Sequence, residues 1–532
     1  NITHAALTDL LNKLRTCGHN DLPNDARTLL NTPRNSIVQV SANNESFFHI
    51  GLKTAIIKQL ARTKFVSEND VIMIDLNIDG LPISKSSKSQ IWPILGKIYG
   101  DKAFTPFVIS AYHGYSKPSS LQNFLTPFCQ EFNILQNTGL IFDEKRYTIK
   151  IRSVICDSPA RAFVTCTKAH NGFFGCGKCM QEGTYSNHHM LFLESTAPLR
   201  TDLNFNNRVQ EDHHTGVSPF ESIKLGMISQ FPLDYMHLVC LGVVKKLLQL
   251  WTNGYLTSRL NGRKIADLSE KLIAMSKWTP KEFARKSRSL EELSRWKATE
   301  FRQFLLYLGP VVLLNILSEV NLRHFNALNC AIRILCHPTD IDCRNNKYSR
   351  DLLIQFVKVF QQLYGEDAII YNVHNLLHLN EDVLMFGPLD NYSAFPFENY
   401  MQSIKKMLRK AEKPLQQLYK RISENCYEVD YSITYNAPIL KHKYSKDLPM
   451  NCTNAYRMIE FSDFTLTDKK PNNCCYLKDK IIVVIEHICY NEERAVIVGK
   501  KFLTKSSLPF YPCESQHMDI CRMENLSSDF QM

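Results

Sequence analysis

The sequence lacks the marks of a secreted or membrane-spanning chain. Its 17 cysteines are spaced irregularly over 532 residues and form no compact disulfide framework, and no signal peptide is visible. Reduced thiols, a few of them bound to metal, are therefore expected, and with them the cytosol or nucleus. The most apolar stretch, Phe304–Leu317, is short and contains Gly309 and Pro310. This pattern is typical of an interrupted buried helix, not of a membrane span.

The sequence also has no internal repeat and no low-complexity tract. A hydrophobic content of 44% is that of a folded globular protein, and 532 residues predict two to four modules. The formal net charge of +11 favours a polyanionic partner. A basic protein with no role in nucleic-acid binding is the equally weighted alternative.

Hydrophobic periodicity divides the chain into five regions. They are an N-terminal helical region (1–68), the first part of an α/β core (69–180), a mainly helical insertion (181–372), the last part of the core (373–449) and a small C-terminal β-rich module (450–532). Within the insertion, the histidine-rich residues 181–222 are predicted to be loop.

Four strands and one helix are predicted in the first part of the core. In 71–80 apolar and polar residues alternate, which indicates a strand. The other predicted elements are the strands Ile91–Tyr99, Phe104–Tyr112 and Tyr147–Cys156, and the helix Leu121–Gln136. Three strands, a helix and a fourth strand is the order of a ribonuclease-H-like core. We therefore predict an α+β chain in which an all-helical insertion interrupts such a core.

Helical spacing and one hairpin pattern occur outside these strands. The predicted helices are Phe47–Arg62, Met236–Trp251, Lys264–Met275, Leu290–Leu317 and Asp351–Tyr364. Near the C-terminus, Ile481–Tyr490 and Arg494–Phe502 flank a short polar turn and predict a β-hairpin.

Three acidic residues occupy positions suited to a two-metal site. Asp79 and Asp157 each end a predicted strand, and Glu398 opens a basic helix. Mg²⁺ needs few carboxylates, and two such ions activate a nucleophile and stabilise a leaving oxygen in phosphodiester cleavage. Each acid also has an ordinary structural explanation. Asp79 could be a turn residue before Gly80, and Asp157 could be a helix N-cap. Glu398 lies in the first turn of a helix, where a negative charge is favourable. Their joint placement favours the metal site.

A cysteine pair and a histidine pair have the spacing of zinc ligands. Cys176 and Cys179 form a CxxC knuckle, and His374 and His378 lie four apart on a predicted helix. Zinc across both pairs would join the two ends of the insertion. The alternative is an inert cysteine pair with two ordinary helix histidines. The rival histidine ligands lie in the predicted loop: His188, His189, His213 and His214.

Two further features point toward phosphate chemistry. Two interpretations of His237, in the cluster Asp234–His237, are open. In the first, His237 lies near the scissile phosphate. In the second, it is a half-buried helix histidine that follows an N-cap aspartate. After Glu398 the chain is strongly basic, which suits phosphate contacts, although a charge run is usually a solvated face. The candidate DNA-binding residues are Lys405, Lys406, Arg409, Lys410 and Lys413, followed by Lys420 and Arg421.

Together these stretches resemble transposases of the CACTA, Mirage and Chapaev superfamily, over roughly residues 5 to 425. The matching segments are Asn77–Pro82, Ser86–Lys88, Trp92–Pro93, Cys156–Ala160, Gly175–Cys179, Asp234–His237, Leu241–Gly242, Lys297–Glu300, His374–His378 and Phe397–Tyr400. The resemblance implies that Asp79, Asp157 and Glu398 are the catalytic triad. The layout is also similar to the catalytic core of the V(D)J recombinase, where a CxxC and a histidine pair bind zinc.

The resemblance implies a DDE-type cut-and-paste DNA transposase that cleaves and transfers DNA strands with Mg²⁺ or Mn²⁺ and carries a structural Zn²⁺. Its partners would be double-stranded DNA, as transposon ends and target, and further copies of itself in a homodimer or higher oligomer. It would act in the nucleus, with no membrane partner. No site-specific DNA-binding module is visible before residue 70. The alternative is a domesticated or decayed copy that binds DNA or protein without cutting.

Overall fold

The chain is an α+β protein, as predicted. The computed structural model describes residues 2–41, 45–63, 70–84, 87–100, 103–338, 343–424, 438–444, 454–477, 479–491, 494–508 and 511–530. The predicted boundaries near residues 68 and 450 fall outside these ranges, as does Ser86. The chain divides into two compact units. The first contains Asn1–Gly183, Ala197–Asp234 and Tyr392–Ser432, and the second contains Thr184–Thr196, Tyr235–Asn391 and Ile433–Met532.

A mixed eight-stranded sheet forms the centre of the first unit. Its strands run in the order Gln39–Val40, Ser46–His49, Phe107–Gly114, Gln90–Ile98, Val71–Ile78, Lys145–Ile155, Leu140–Phe142, with Leu81–Pro82 paired to Gln90–Ile98. The four strands predicted for this region are confirmed. Val71–Ile78 (the Asp79 strand) pairs antiparallel with Gln90–Ile98 and parallel with Lys145–Ile155 (the Asp157 strand).

The parallel pair determines where the two aspartates emerge. Asn77 lies opposite Ile155, and the Asn77 side-chain amide donates a hydrogen bond of 2.8 Å to the Ile155 carbonyl. Parallel strands end at the same edge of a sheet. Asp79 and Asp157 each follow two residues after this register pair, so they leave neighbouring strand ends.

The helix Leu121–Thr138 covers this sheet with an apolar face. Its buried residues include Phe124, Leu125, Phe128 and Phe132, and they belong to one continuous cluster with the buried residues of the strands. The other helices of the first unit are His4–Thr16, Ala26–Leu29, Leu52–Leu60, Ser158–Thr165, Asp202–Asn206, Phe395–Met407 and Pro414–Ser423, with 3₁₀ turns at Glu211–His213 and Pro219–Ile223.

The predicted helix Phe47–Arg62 is wrong at its N-terminal end. Ser46–His49 is a strand that pairs with Phe107–Gly114, and the helix begins only at Leu52. Gly51 lies between them with φ of 103°. This conformation is accessible to glycine but strained for other residues, so the chain turns here from strand to helix.

The second unit is mainly helical between residues 235 and 391. It contains the α-helices Lys245–Asn253, Gly262–Ser276, Ala298–Gln303, Gly309–Val312, Glu319–Cys336, Cys343–Tyr364, Tyr371–His374 and Leu379–Phe386. Its π-helical segments are Met236–Val244 and Phe304–Leu308, and its 3₁₀ segments are Leu290–Arg295, Glu366–Ala368, Asn375–His378 and Leu389–Tyr392.

The predicted helix Leu290–Leu317 is wrong as a continuous element. It breaks at Trp296, which is extended, and restarts at Ala298. The Glu300 carboxylate accepts the Lys297 backbone N–H at 2.8 Å and also binds Arg288, with Nε–Oε1 at 2.7 Å. A side chain that caps a helix start cannot sit in the middle of a longer helix, so this interaction sets the break.

The C-terminal part of the second unit is a seven-stranded antiparallel sheet. Its main strands run in the order Ile439–Tyr444, Asn454–Glu460, Ile482–Asn491, Arg494–Ser506, Arg522–Leu526; Thr465–Thr467 and Cys474–Tyr476 pair at its sides, and Ser515–Met518 is a 3₁₀ turn. The predicted hairpin is confirmed, although residues 492–493 of its turn lie outside the described ranges. The loop predicted for 181–222 contains a small hairpin, Thr184–Ser186 with His189–Leu191.

Every helix in the described part of the chain is too short or too polar to cross a bilayer.

Candidate metal centres

The structure brings Asp79 and Glu398 of the first unit together. One carboxylate oxygen from each lies within 4.8 Å of the other, and both residues are half-buried. Two carboxylates at this separation can share a divalent cation. The two residues are far apart in the sequence, so the fold and not the local sequence assembles the pair. His237 belongs to the second unit, and its place near the scissile phosphate stays a prediction.

The backbone of the next residue holds the carboxylate of Asp79. Its Oδ1 accepts the Gly80 backbone N–H at 2.6 Å. A Cβ on residue 80 would lie 3.1 Å from Cε2 of Trp92, so glycine lets that indole pack against the backbone here. The alternative of a turn at Asp79-Gly80 is wrong, because Ile78 and Leu81 pair with Ile94 and Ile91 of one strand in the same antiparallel register.

Asp157 lies at the neighbouring strand end and caps a helix. Its Oδ1 accepts the Ala160 backbone N–H at 2.7 Å at the start of Ser158–Thr165. Burial raises the pKa of the adjacent Cys156 thiol, and the charges of Asp157 and Asp79 raise it further. Among the described residues, Asp157 is not grouped with Asp79 and Glu398 as a metal ligand. Its predicted role in metal binding stays a prediction.

Glu398 stands in the first turn of the helix Phe395–Met407. The residue that leads into this helix, Ala394, donates its backbone N–H to Oδ1 of Asp234 at 2.8 Å, and Asp234 is buried. One of the two interpretations of the sequence made Asp234 the N-cap of the helix that carries His237. The structure shows that Asp234 binds the start of the Glu398 helix, which lies 160 residues away in the sequence.

Asp75 shares a strand with Asp79 but is fully engaged elsewhere. Its two oxygens accept Nε and Nη2 of Arg152, each at 2.8 Å, and Oδ1 also accepts the Ser153 hydroxyl at 2.6 Å. Arg152 in turn lies over the ring of Tyr99, 3.9 Å from its centre. A buried carboxylate so occupied is a structural ion pair and not a metal ligand.

Asn77 and His170 are two polar residues near the strand-end aspartates to which sequence reasoning assigned no role. The Oδ1 atom of Asn77 is buried and accepts no hydrogen bond in the described part of the chain. An orphaned acceptor one register step from the aspartates fits a site that holds a hydrated cation, since bound water can donate to it. Burial lowers the pKa of His170, and the charge of Asp157 partly opposes this effect. No spacing in the sequence signals either residue.

A second group contains Cys176, Cys179, His374 and His378. One ligand atom from each lies within 4.8 Å of the others, and all four residues are buried. The two Sγ atoms are 3.5 Å apart, and the two Nε2 atoms are 3.3 Å apart. This buried Cys₂His₂ group could bind a structural metal such as zinc.

Backbone contacts shape the knuckle that carries the two cysteines. A Cβ on Gly175 would lie 2.3 Å from the carbonyl oxygen of Ala169, so only glycine permits this fold of the loop. Arg200 donates from Nε to the Cys176 carbonyl at 3.0 Å, and its backbone N–H binds the Lys178 carbonyl at 2.8 Å. These contacts orient the knuckle from outside the CxxC motif.

The rival histidines take other roles. His213 is buried, its Nδ1 is 2.7 Å from the Phe174 carbonyl, and burial lowers its pKa to about 3. His214 contacts Arg208 through Nδ1 at 2.5 Å. His188 and His189 are exposed in the small hairpin region. None of the four belongs to the Cys₂His₂ group.

The predicted DNA-binding residues follow the Glu398 helix. Lys405 and Lys406 lie in its last turn, and Arg409 and Lys410 lie in the loop behind it. Lys413 has φ of 50° and precedes the helix Pro414–Ser423. Lys406, Arg409, Lys410 and Lys413 are exposed, and Lys405 is half-buried.

Comparison with known families gives one match. A family model described as a domain of unknown function, DUF8592, covers residues 441–532, which is the C-terminal sheet. No curated protein matches the chain.

Proposed function

We propose that this chain is a DDE-type cut-and-paste DNA transposase that cleaves and transfers DNA strands. The observation that carries the proposal is the approach of Asp79 and Glu398, whose ligand atoms lie within 4.8 Å, at the sheet edge where Asp157 ends the parallel neighbour strand. Metal pairs that act on phosphodiesters are about 4 Å apart, and carboxylates that share them must converge in this way.

Strand order supports a ribonuclease-H-like core for this catalyst. Three antiparallel strands, Val71–Ile78, Gln90–Ile98 and Phe107–Gly114, are followed by the helix Leu121–Thr138 and by a strand parallel to the first. A core of this kind brings strand-end acids to one edge. The Glu398 helix belongs to the same compact unit as these strands.

Each residue has a separate task in the proposed reaction. Asp79, Asp157 and Glu398 would hold Mg²⁺ or Mn²⁺, which supplies a Lewis acid to the scissile phosphate. His237 would contact that phosphate, and the basic residues after the Glu398 helix would bind the DNA backbone. Zn²⁺ on the Cys₂His₂ group would be structural. Nuclear action, a homodimer or higher oligomer, and duplex DNA as both transposon ends and target complete the proposal.

The direct test is strand cleavage by the purified chain with its own element ends and Mg²⁺. Asp79→Asn and Glu398→Gln should each abolish nicking but leave DNA binding in place, because the carboxylates hold metal and do not attract phosphate. Asp9→Asn removes an exposed carboxylate from the helix His4–Thr16 and serves as the matched control. If Glu398→Gln cuts as well as the wild type, the triad assignment is wrong.

The alternative is a domesticated or decayed transposase that binds DNA or protein without cutting. It predicts that the wild-type chain binds its element ends but never nicks them with either metal. The approach of Asp79 and Glu398 would then be a structural remnant.

A further inference from the structure

A cleft in the first unit has six arginine and lysine side chains among its fifteen lining residues. Its volume is about 950 Å³, and we call it the cationic cleft. One wall comes from the N-terminal helical region and the other from the segment that follows the Glu398 helix. The charged residues that line it are His4, Asp25, Arg27, Arg34, Arg409, Lys410, Lys420, Arg421 and Glu424.

The acidic residues of the cleft are already engaged. Glu424 has a buried side chain, and its carboxylate binds Nη1 of Arg421 and Nε2 of His4, each at 3.0 Å. It also accepts the Thr32 hydroxyl at 3.0 Å. Asp25 caps the helix Ala26–Leu29 by accepting the Arg27 backbone N–H at 2.7 Å. The two acidic residues of the cleft thus bind partners of their own, and the arginine and lysine side chains outnumber them six to two.

Five cations of the cleft make no ion pair with an acidic side chain among the described residues. They are Arg27, Arg34, Arg409, Lys410 and Lys420. Cations that converge on one cleft repel one another. An anion bound between them would offset this repulsion. Their spread over both walls favours an extended polyanion over a single small anion.

The loop that carries two of these cations is held in place. Oε1 of Gln417 accepts the backbone N–H groups of Arg409 and Lys410 at 2.9 and 3.1 Å. Nε2 of Gln417 donates to the carbonyls of Lys410 and Glu412 at 2.9 and 2.6 Å. Four hydrogen bonds from one side-chain amide thus hold the loop in place. This order lowers the entropy cost of binding a ligand through the cations of the loop.

We infer that the cationic cleft binds the phosphodiester backbone of duplex DNA. The inference deepens the proposed function, because it adds Arg27 and Arg34 of the N-terminal region to the DNA-binding surface. Met407 lines the cleft and stands nine residues along the helix from Glu398. At 1.5 Å per residue that distance is about 14 Å. With one charge per 3.4 Å of each strand, the cleft would hold phosphates about four base pairs from the cut.

The test is duplex binding without metal, so it does not depend on cleavage. Arg27→Gln/Arg34→Gln is compared with Lys13→Gln/Lys53→Gln, which removes two exposed charges of the same unit outside the cleft. A labelled random 30-base-pair duplex is titrated in EDTA over a range of salt. The cleft variant should bind one to two orders of magnitude more weakly near 0.1 M salt, and its salt slope should fall by about two. The control should bind as the wild type does.

Two outcomes would overturn the inference. The first is an unchanged salt slope for the Arg27→Gln/Arg34→Gln variant. The second is displacement of the duplex by polyglutamate at equal charge concentration, which would indicate an acidic protein partner. Lys410→Gln/Lys420→Gln tests the opposite wall and should give the same loss if the first variant fails to fold. If the wild-type chain never cuts DNA but the cleft variant loses duplex binding, the proposed catalysis is refuted and the inference about the cleft is supported.

Discussion

Two aspartates on one strand show how residues of the same type separate into different roles. Asp75 lies within the strand Val71–Ile78, and Asp79 follows the last residue of that strand. Asp75 is buried against Arg152, whereas Asp79 is half-buried and joins Glu398. The burial and partner of each carboxylate, not its spacing, distinguish a structural ion pair from a candidate metal ligand.

The same substitution should change the free energy of unfolding by different amounts at these two positions. Asp75→Asn should destabilise the fold by about 3 kcal/mol, because it leaves the buried Arg152 charge without its partner. Asp79→Asn should change the stability by less than about 1 kcal/mol. Urea unfolding of both variants measures the difference. Equal losses of stability would show that the two carboxylates are not functionally separate.

At the scale of elements, a side chain from one helix caps another. Gly51 precedes the helix Leu52–Leu60 and has no side chain to cap it. Glu131, on Leu121–Thr138, accepts the Leu52 and Lys53 backbone N–H groups at 2.5 and 3.0 Å and also contacts His49 at 3.0 Å. Burial tends to raise the pKa of Glu131, but these hydrogen bonds more than offset it, so the pKa lies below its ordinary value.

This cap predicts a defined pH dependence. A depressed pKa in the folded state means that the Glu131 contribution is present above the unfolded pKa of about 4.3 and is lost as pH falls through the folded value. Glu131→Gln should cost about 1–2 kcal/mol at neutral pH and less below pH about 4. Thermal melts across this range test it, with exposed Glu144→Gln as the control. If Glu131→Gln loses the same amount of stability at every pH, the proposed cap is contradicted.

At the scale of the whole molecule, the Cys₂His₂ group makes metal content a property of the folded chain. Its ligands are nearly 200 residues apart in sequence and are all buried. Structural zinc contributes directly to folding free energy. Cys176→Ser should release one zinc ion per chain and lower the melting temperature, whereas Cys17→Ser, at an exposed cysteine, should do neither. Metal analysis that finds no zinc in the reduced, folded wild type would refute the site.

The carboxylate of Glu282 is one of the groups that attach the C-terminal sheet to the helical part of the second unit. Glu282 accepts the Thr465 backbone N–H at 2.8 Å and both oxygens bind the Asn472 amide, at 3.0 and 2.8 Å. Lys470 lies 3.7 Å from the ring centre of Trp278 beside it. These contacts place residues of the DUF8592 match against the insertion.

Glu282→Ala should loosen this attachment without unfolding either part. Hydrogen exchange should become faster at Thr465 and Asn472, and limited proteolysis should release a C-terminal fragment earlier than in the wild type. Glu270→Ala, at an exposed site on the helix Gly262–Ser276, is the control. Unchanged exchange in the Glu282 variant would show that other contacts dominate.

Local pattern determined much of this fold. The alternation along Val71–Ile78 and Lys145–Ile155, the helical period of Leu121–Thr138 and the hairpin near residue 490 are all present as predicted, because periodicity depends on neighbours in sequence. The same reasoning failed at Ser46–His49 and at Trp296. There a sheet partner and a capping carboxylate override the local helical spacing.

The sequence by itself identified the carboxylates, the CxxC and the histidine pair by residue type and spacing. Only the tertiary structure decided which of them meet: Asp79 with Glu398, but Asp75 with Arg152 and Asp234 with the backbone of Ala394. It alone joined the N-terminal arginines to the basic segment near residue 410. The physical reason is that hydrogen bonds within elements are local, whereas ion pairs, ligand groups and clefts depend on where distant segments pack.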